Sequence, residues 1–274
     1  MENRLNIESF RGKFTKNGWW QKLSGWFESE NAYKVYEYLK QRSKEKNTIL
    51  PKSENTFEAF NQFDFKDLKI IVVGQEPYST LINNQPIATG LSFDCSATDK
   101  LQPSLKFLWS SIQNNFPEDK QITEEPNIKF LAEQGILFLN YSLTVQKNLI
   151  GSHLKLDPNV FPIKNLWESF IKYLFEEALY GTTGICYVLM GLDSRKAKKY
   201  INPLGNYIFE TQHPSFAARN NDDEWNADGV WKKCNDILLA NNGVEYTIEY
   251  SKEKRDFWKE INNVKIEDYK DCPF

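Results

Sequence analysis

Histidine, cysteine and methionine are scarce in this chain of 274 residues, with two, four and two copies. The cysteines, Cys95, Cys186, Cys234 and Cys272, form no C-x-x-C pair. Two histidines are too few to complete a structural zinc or iron–sulfur site with them. No metal or other cofactor is expected, and the thiols read as reduced and buried. No apolar run approaches the roughly 18 residues of a membrane span. The opening Met1-Glu2-Asn3-Arg4 starts no apolar stretch like that of a secretion signal, so the expected location is the cytoplasm. No charge of one sign dominates: 34 basic residues face 37 acidic ones, for a formal net charge of -3. Any nucleic-acid binding must then use a local basic patch. Repeats and low-complexity tracts are also missing.

What is present is an aromatic content of 15%, which serves either a core or base stacking. Residues 1–65 read as a mostly helical part rich in aromatics, including Trp19, Trp20, Trp26, Tyr33 and Tyr36. Four short apolar runs follow at 68–73, 135–139, 185–190 and 206–211. Their length and β-branched content predict strands, most of them buried on both faces. Helical spacing lies between and after them: Leu105, Leu108, Trp109, Ile112 and Phe116 behind Ser104 as N-cap; a second set over 163–175; a short basic helix over 194–200; and a third set over 230–238, after the last run. The expected fold class is α/β, a three-layer α/β/α arrangement around a mostly parallel four-stranded sheet. One domain is expected, with a helical part at 1–65, a core at 66–250 and a C-terminal extension at 251–274.

Right-handed crossovers put the C-terminal ends of all four strands on one edge, where open α/β sheets bind ligands. Gln75, Glu76, Pro77 and Tyr78 follow the first strand, Asn140 ends the second, Gly191 the third, and Gln212, His213, Pro214 and Ser215 follow the fourth. A carboxylate, an amide, an imidazole and a phenol are therefore expected to converge. That set suits acid–base or electrostatic chemistry on a small polar group.

The same segments carry a resemblance. GQEPY at 74–78, GLSF at 90–93, PSLK at 103–106, LAEQGILFLNYSLTV at 131–145, HPS at 213–215 and CNDILLANNGVEYTIEY at 234–250 resemble, in unbroken order, motifs of the family-1 uracil-DNA glycosylases. The resemblance implies a monomeric, monofunctional DNA glycosylase whose partner is DNA, single- or double-stranded, containing uracil or a modified pyrimidine. The target nucleotide is flipped out of the stack and its glycosidic bond passes through an oxocarbenium-like state. It implies roles as well. Glu76 orients the attacking water and stabilises the sugar cation, while His213 donates to the oxygen of the departing base. The Gln75 backbone N–H is a further donor. Asn140 reads the pyrimidine edge, Tyr78 blocks its C5 side, and Phe93 stacks on it. Ser104, Gly191 and Ser215 grip phosphates. His153 is expected to be structural. Arg195, Lys196, Lys198 and Lys199 are either phosphate contacts or a solvated helix face.

Departures from the family pattern cluster at the same places. Glu76 stands for the usual Asp and Ser79 for His. The loop 79–89 is about four residues longer by alignment. Leu192 follows Gly191 where Ser is usual. Ala217 stands for the intercalating Leu, leaving Phe216 or Arg219 to take its place on the DNA. These changes keep two alternatives beside uracil excision in base-excision repair. One is excision of a C5-modified pyrimidine, such as a modified cytosine of phage DNA, as antiviral defence. The other is a DNA-binding module without catalysis.

Overall fold

The computed structural model describes residues 5–45, 48–156 and 164–263. Four parallel strands form the central sheet: β1 (Ile70–Gly74), β2 (Ile136–Asn140), β3 (Cys186–Met190) and β4 (Tyr207–Thr211), in the order β2-β1-β3-β4. Each lies within two residues of its predicted run. Every residue of β1, β2 and β3 is buried. Alternate side chains of a strand point to opposite faces, so both faces of the sheet must be covered. At the edge, β4 is only partly buried and keeps polar residues.

The cover comes from helices α1 (Trp19–Phe27), α2 (Glu30–Lys44), α3 (Pro103–Asn115), α4 (Glu168–Tyr173), α5 (Pro214–Asn220) and α6 (Val230–Asn242), with α7 (Lys252–Asn263) near the end of the described chain. They fall into two packed groups, α1 and α2 with α4, and α3 with α5 and α6. The N-cap of α3 is Gln102, not Ser104: Pro103 takes the first helical position, where its missing N–H costs nothing, and Ser104 falls inside the first turn. Helix α4 begins at Glu168 and runs on through a π-helical turn, Leu174–Ala178; Ile163, expected in it, lies outside the described residues. The basic stretch Ser194–Tyr200 is a 3-10 helix.

Most of the aromatic content goes to the core. Trp19 packs edge-on against Phe60, Phe63 and Phe65, and Trp26 stacks on Trp167. Trp19, Trp109 and Trp231 are fully buried, and each indole N–H has a partner: the carbonyls of Phe63 and Glu125 and the Ser111 hydroxyl. Cys95, Cys186 and Cys234 are buried free thiols as expected; Cys272 lies outside the described residues. No helix among the described residues is long and apolar enough to cross a membrane.

Register fixes where the strands stop. Gly74 pairs with Asn140, and Met190 with Thr211. The residues that follow β1, β3 and β4 therefore emerge beside one another and beside Asn140.

Candidate active site

Glycine at the end of β1 lets two side chains approach. A Cβ on Gly74 would stand 3.0 Å from Asn140 Oδ1 and 3.2 Å from the Phe93 ring. Asn140 is buried, yet its side-chain amide has no hydrogen-bond partner among the described residues. Neither amide atom is among the fully buried orphaned ones, so the group keeps some access to solvent and can pair with a ligand. Its backbone is fixed from behind. Asn165 donates to the Tyr141 carbonyl at 3.1 Å, and the Ser142 hydroxyl to the Thr144 carbonyl at 3.0 Å. The Thr144 hydroxyl accepts from the Trp167 indole at 2.7 Å and shares a hydrogen bond with His153 Nδ1 at 2.8 Å. His153 is buried here, and burial pushes its pKa down to about 4. It is a neutral structural histidine, as expected.

Phe93 is buried in the left-handed region, at φ 68°. A bulky residue pays about 1–2 kcal/mol for that conformation, so its surroundings dictate the ring's position. The Tyr78 hydroxyl donates to the Phe93 carbonyl at 3.1 Å, and burial raises its pKa strongly. The Phe93 ring lies 5.5 Å from that of His213.

His213 is the N-cap of α5. Its Nδ1 accepts from the Ser215 backbone N–H at 3.1 Å and lies 2.9 Å from Ser215 Oγ. A backbone N–H can only donate, so Nδ1 offers a lone pair and the ring proton sits on Nε2. Burial first, then the nearby Arg219 guanidinium, push the His213 pKa down to about 4, against an opposing pull from Asp193. The result is a neutral imidazole presenting an N–H donor. Gly191, at φ 91°, makes this possible: a Cβ there would meet His213 Cβ at 2.9 Å.

Glu76 is partly buried. Both carboxylate oxygens accept from the Gly151 backbone N–H, at 2.8 and 3.0 Å, and the Gln75 amide donates at 3.4 Å. Burial raises its pKa, with a smaller push from Asp193, and the Gly151 and Gln75 hydrogen bonds oppose the rise. Gly151 has φ 76° and belongs to a turn absent from the expected site residues. The sequence signal for it is the spacing of Asn148 and Gly151, residue types that tolerate the positive φ both adopt here.

A cleft of about 450 Å³ opens at these strand ends, lined among others by Gln75, Gly191, His213, Ser215, Phe216 and Arg219. The cleft brings together these six expected residues, whereas Glu76, Tyr78, Phe93 and Asn140 are not part of its lining, Phe93 and Asn140 instead closing on Gly74. Ser104 is not among the lining residues. Ala217, expected to face DNA, is 1% exposed and belongs to the core. The chain 214–220 is helical there and turns that position inward, while Phe216 points out. Arg195 and Lys198 pair with Glu210, Lys196 with Asp193, and Lys199 with Glu168. Their charge is locally compensated by these acids, while Arg195 also lines the cleft. The long loop 79–89 contains a small β-hairpin, Leu81–Ile82 against Gln85–Pro86, turning on Asn83 and Asn84 at φ 49° and 61°. Two asparagines at positive φ suit such a turn. Tyr78 and Leu81 pack together on Leu50, Ala88 and Val145, which seats the hairpin beside the site. Among the described residues no group of three or more His, Cys, Asp or Glu side chains clusters.

The family model described as "Uracil DNA glycosylase superfamily" matches residues 60–238. The uracil-DNA glycosylase of Mycoplasmopsis pulmonis is 34% identical over 206 residues, covering 73% of this chain and 85% of the relative. That of Bacillus subtilis is 29% identical over 206 residues, covering 75% and 84%. The crystal structure of mimivirus uracil-DNA glycosylase superposes with a TM-score of 0.74 at 18% identity, over 90% of this chain and 91% of the other, and shares its fold.

Proposed function

The chain belongs to the uracil DNA glycosylase superfamily, and on that premise we propose that it flips uracil out of DNA and hydrolyses the N-glycosidic bond, leaving an abasic site as in base-excision repair. The observation that carries the reading is the neutral His213 with its proton on Nε2, at the wall of the strand-end cleft and with its ring 5.5 Å from that of Phe93, which with Asn140 closes on Gly74.

Bond cleavage puts negative charge on the leaving base and positive charge on the sugar. A neutral N–H donor stabilises the first without giving up a proton, and a preorganised donor of this kind contributes about 10²–10³ in rate. The Glu76 carboxylate stabilises the second and orients water for attack. Its extra methylene is matched to the Gly151 N–H, which draws the carboxylate back. The Asn140 amide offers an acceptor for N3–H and a donor for O4, the pattern of uracil; cytosine presents the reverse, and leaves both groups unpaired. Phe93 supplies a stacking face and Tyr78 a wall.

The test is excision from DNA carrying uracil, thymine, cytosine or a C5-substituted cytosine, by the protein and by His213→Ala, with alkali revealing abasic sites. Uracil-dependent cleavage that the variant loses is expected. Cleavage of C5-substituted DNA alone would instead assign the hairpin beside Tyr78 to a different specificity. Binding without any cleavage would refute the enzyme reading.

A further inference from the structure

A nucleotide pulled from a duplex leaves a slot in the base stack, and an apolar side chain that fills it holds the flipped state open. Ala217 cannot do this, being both small and 1% exposed. The mouth of the cleft nonetheless carries two large apolar side chains in water: Leu192 is 80% exposed and Phe216 43%. Both line the same cleft as His213 and Gln75. They come from different strand ends. Leu192 follows Gly191, the residue packed against His213 Cβ. Phe216 donates its N–H to the His213 carbonyl at 2.8 Å. The backbone of each is therefore held close to the imidazole. Arg219, which has no acidic partner among the described residues, lines the same mouth and supplies positive charge for a phosphate.

We infer that Leu192 and Phe216 together form the wedge, an apolar pair from two loops that enters the base stack of duplex DNA beside the extruded nucleotide. The inference rests on the glycosylase reading above. Two exposed apolar groups cost solvation in the free protein and regain it when they are buried between stacked bases. Single-stranded DNA has no stack to fill, so the pair acts on duplex substrate.

The experiment compares the parent protein with Leu192→Ser, Phe216→Ala and the double variant. Each is assayed on one uracil in duplex and in single-stranded DNA of the same sequence. Leu192 is almost wholly exposed, so its substitution leaves the core intact. The expected result is a fall in the duplex-to-single-strand ratio of kcat/KM of about tenfold or more, greatest in the double variant, since filling the slot repays an unstacking cost of a few kcal/mol. The second readout is a 2-aminopurine placed next to the uracil in a duplex, bound by the same substitutions in a His213→Ala background so that the DNA stays intact. Fluorescence rises with the parent pair and fails to rise without it. An unchanged ratio with a persisting rise overturns the inference and leaves the pair as a contact surface for another protein. A parent that cleaves neither form refutes the glycosylase reading instead, and the fluorescence still decides the wedge.

Discussion

Shortening Glu76 tests how the carboxylate is placed. In Glu76→Asp the carboxylate retreats by one methylene, about 1.5 Å, enough to matter in a tight site. The two contacts to the Gly151 N–H, now 2.8 and 3.0 Å, would open beyond hydrogen-bond range. A hydrogen bond to a charged group contributes about 1.5–3 kcal/mol, so losing the placement lowers single-turnover excision by about tenfold to a hundredfold. Glu76→Gln makes the complementary change: it keeps an acceptor for Gly151 and removes the charge. A unit charge about 4 Å from the developing sugar cation contributes about 4 kcal/mol at an effective dielectric of 20, which corresponds to a loss of about 10³. The order Glu, Asp, Gln is therefore predicted, read by rapid-quench measurement of abasic sites on one uracil-containing oligonucleotide. The acid limb supplies a second check. Burial raises the Glu76 pKa, and the working form is the carboxylate, so activity falls with acidity from above the ordinary carboxylate range. Glu76→Asp equal to or faster than the parent would refute the role given to Gly151. A Gln variant with full activity would remove the carboxylate from the mechanism.

Three further outcomes are expected. His213→Ala lowers kcat by about 10²–10³ and, by removing the side chain that caps α5, also lowers unfolding stability by about 1 kcal/mol; a loss in kcat below threefold would exclude the donor role. Gly191→Ala places a Cβ 2.9 Å from His213 Cβ at φ 91°, so it destabilises by at least about 1–2 kcal/mol and slows excision; denaturant titration and wild-type kinetics in the variant would together contradict this. His153 is neutral when folded down to about pH 4 and takes a proton near 6.5 when unfolded. The unfolded state then binds more protons between those values, so stability is full above pH 6.5 and is lost as pH falls toward 4, by up to about 3 kcal/mol. Denaturation midpoints of the parent and His153→Gln at pH 7 and 4.5 check this, and equal slopes would refute it.

The sequence alone determined the architecture. Four short apolar runs separated by helical spacing leave few ways to bury both faces of a sheet, and the strand ends then follow from right-handed connection. That reasoning brought Gln75, Glu76, Asn140 and His213 to one edge, because period and chain direction are local properties. It could not say which way a side chain turns once a strand has ended. Whether Ala217 meets solvent or core depends on the packing of α5, and whether Arg195 and its lysine neighbours are free depends on where Glu210, Asp193 and Glu168 lie. The proton on His213 Nε2 follows from one backbone N–H two residues on, and the Glu76 carboxylate is held by Gly151, 75 residues away. Hydrogen bonds of this kind join parts of the chain with no pattern in common, so only the tertiary structure decided the protonation, the placement and the exposed pair at the mouth of the cleft.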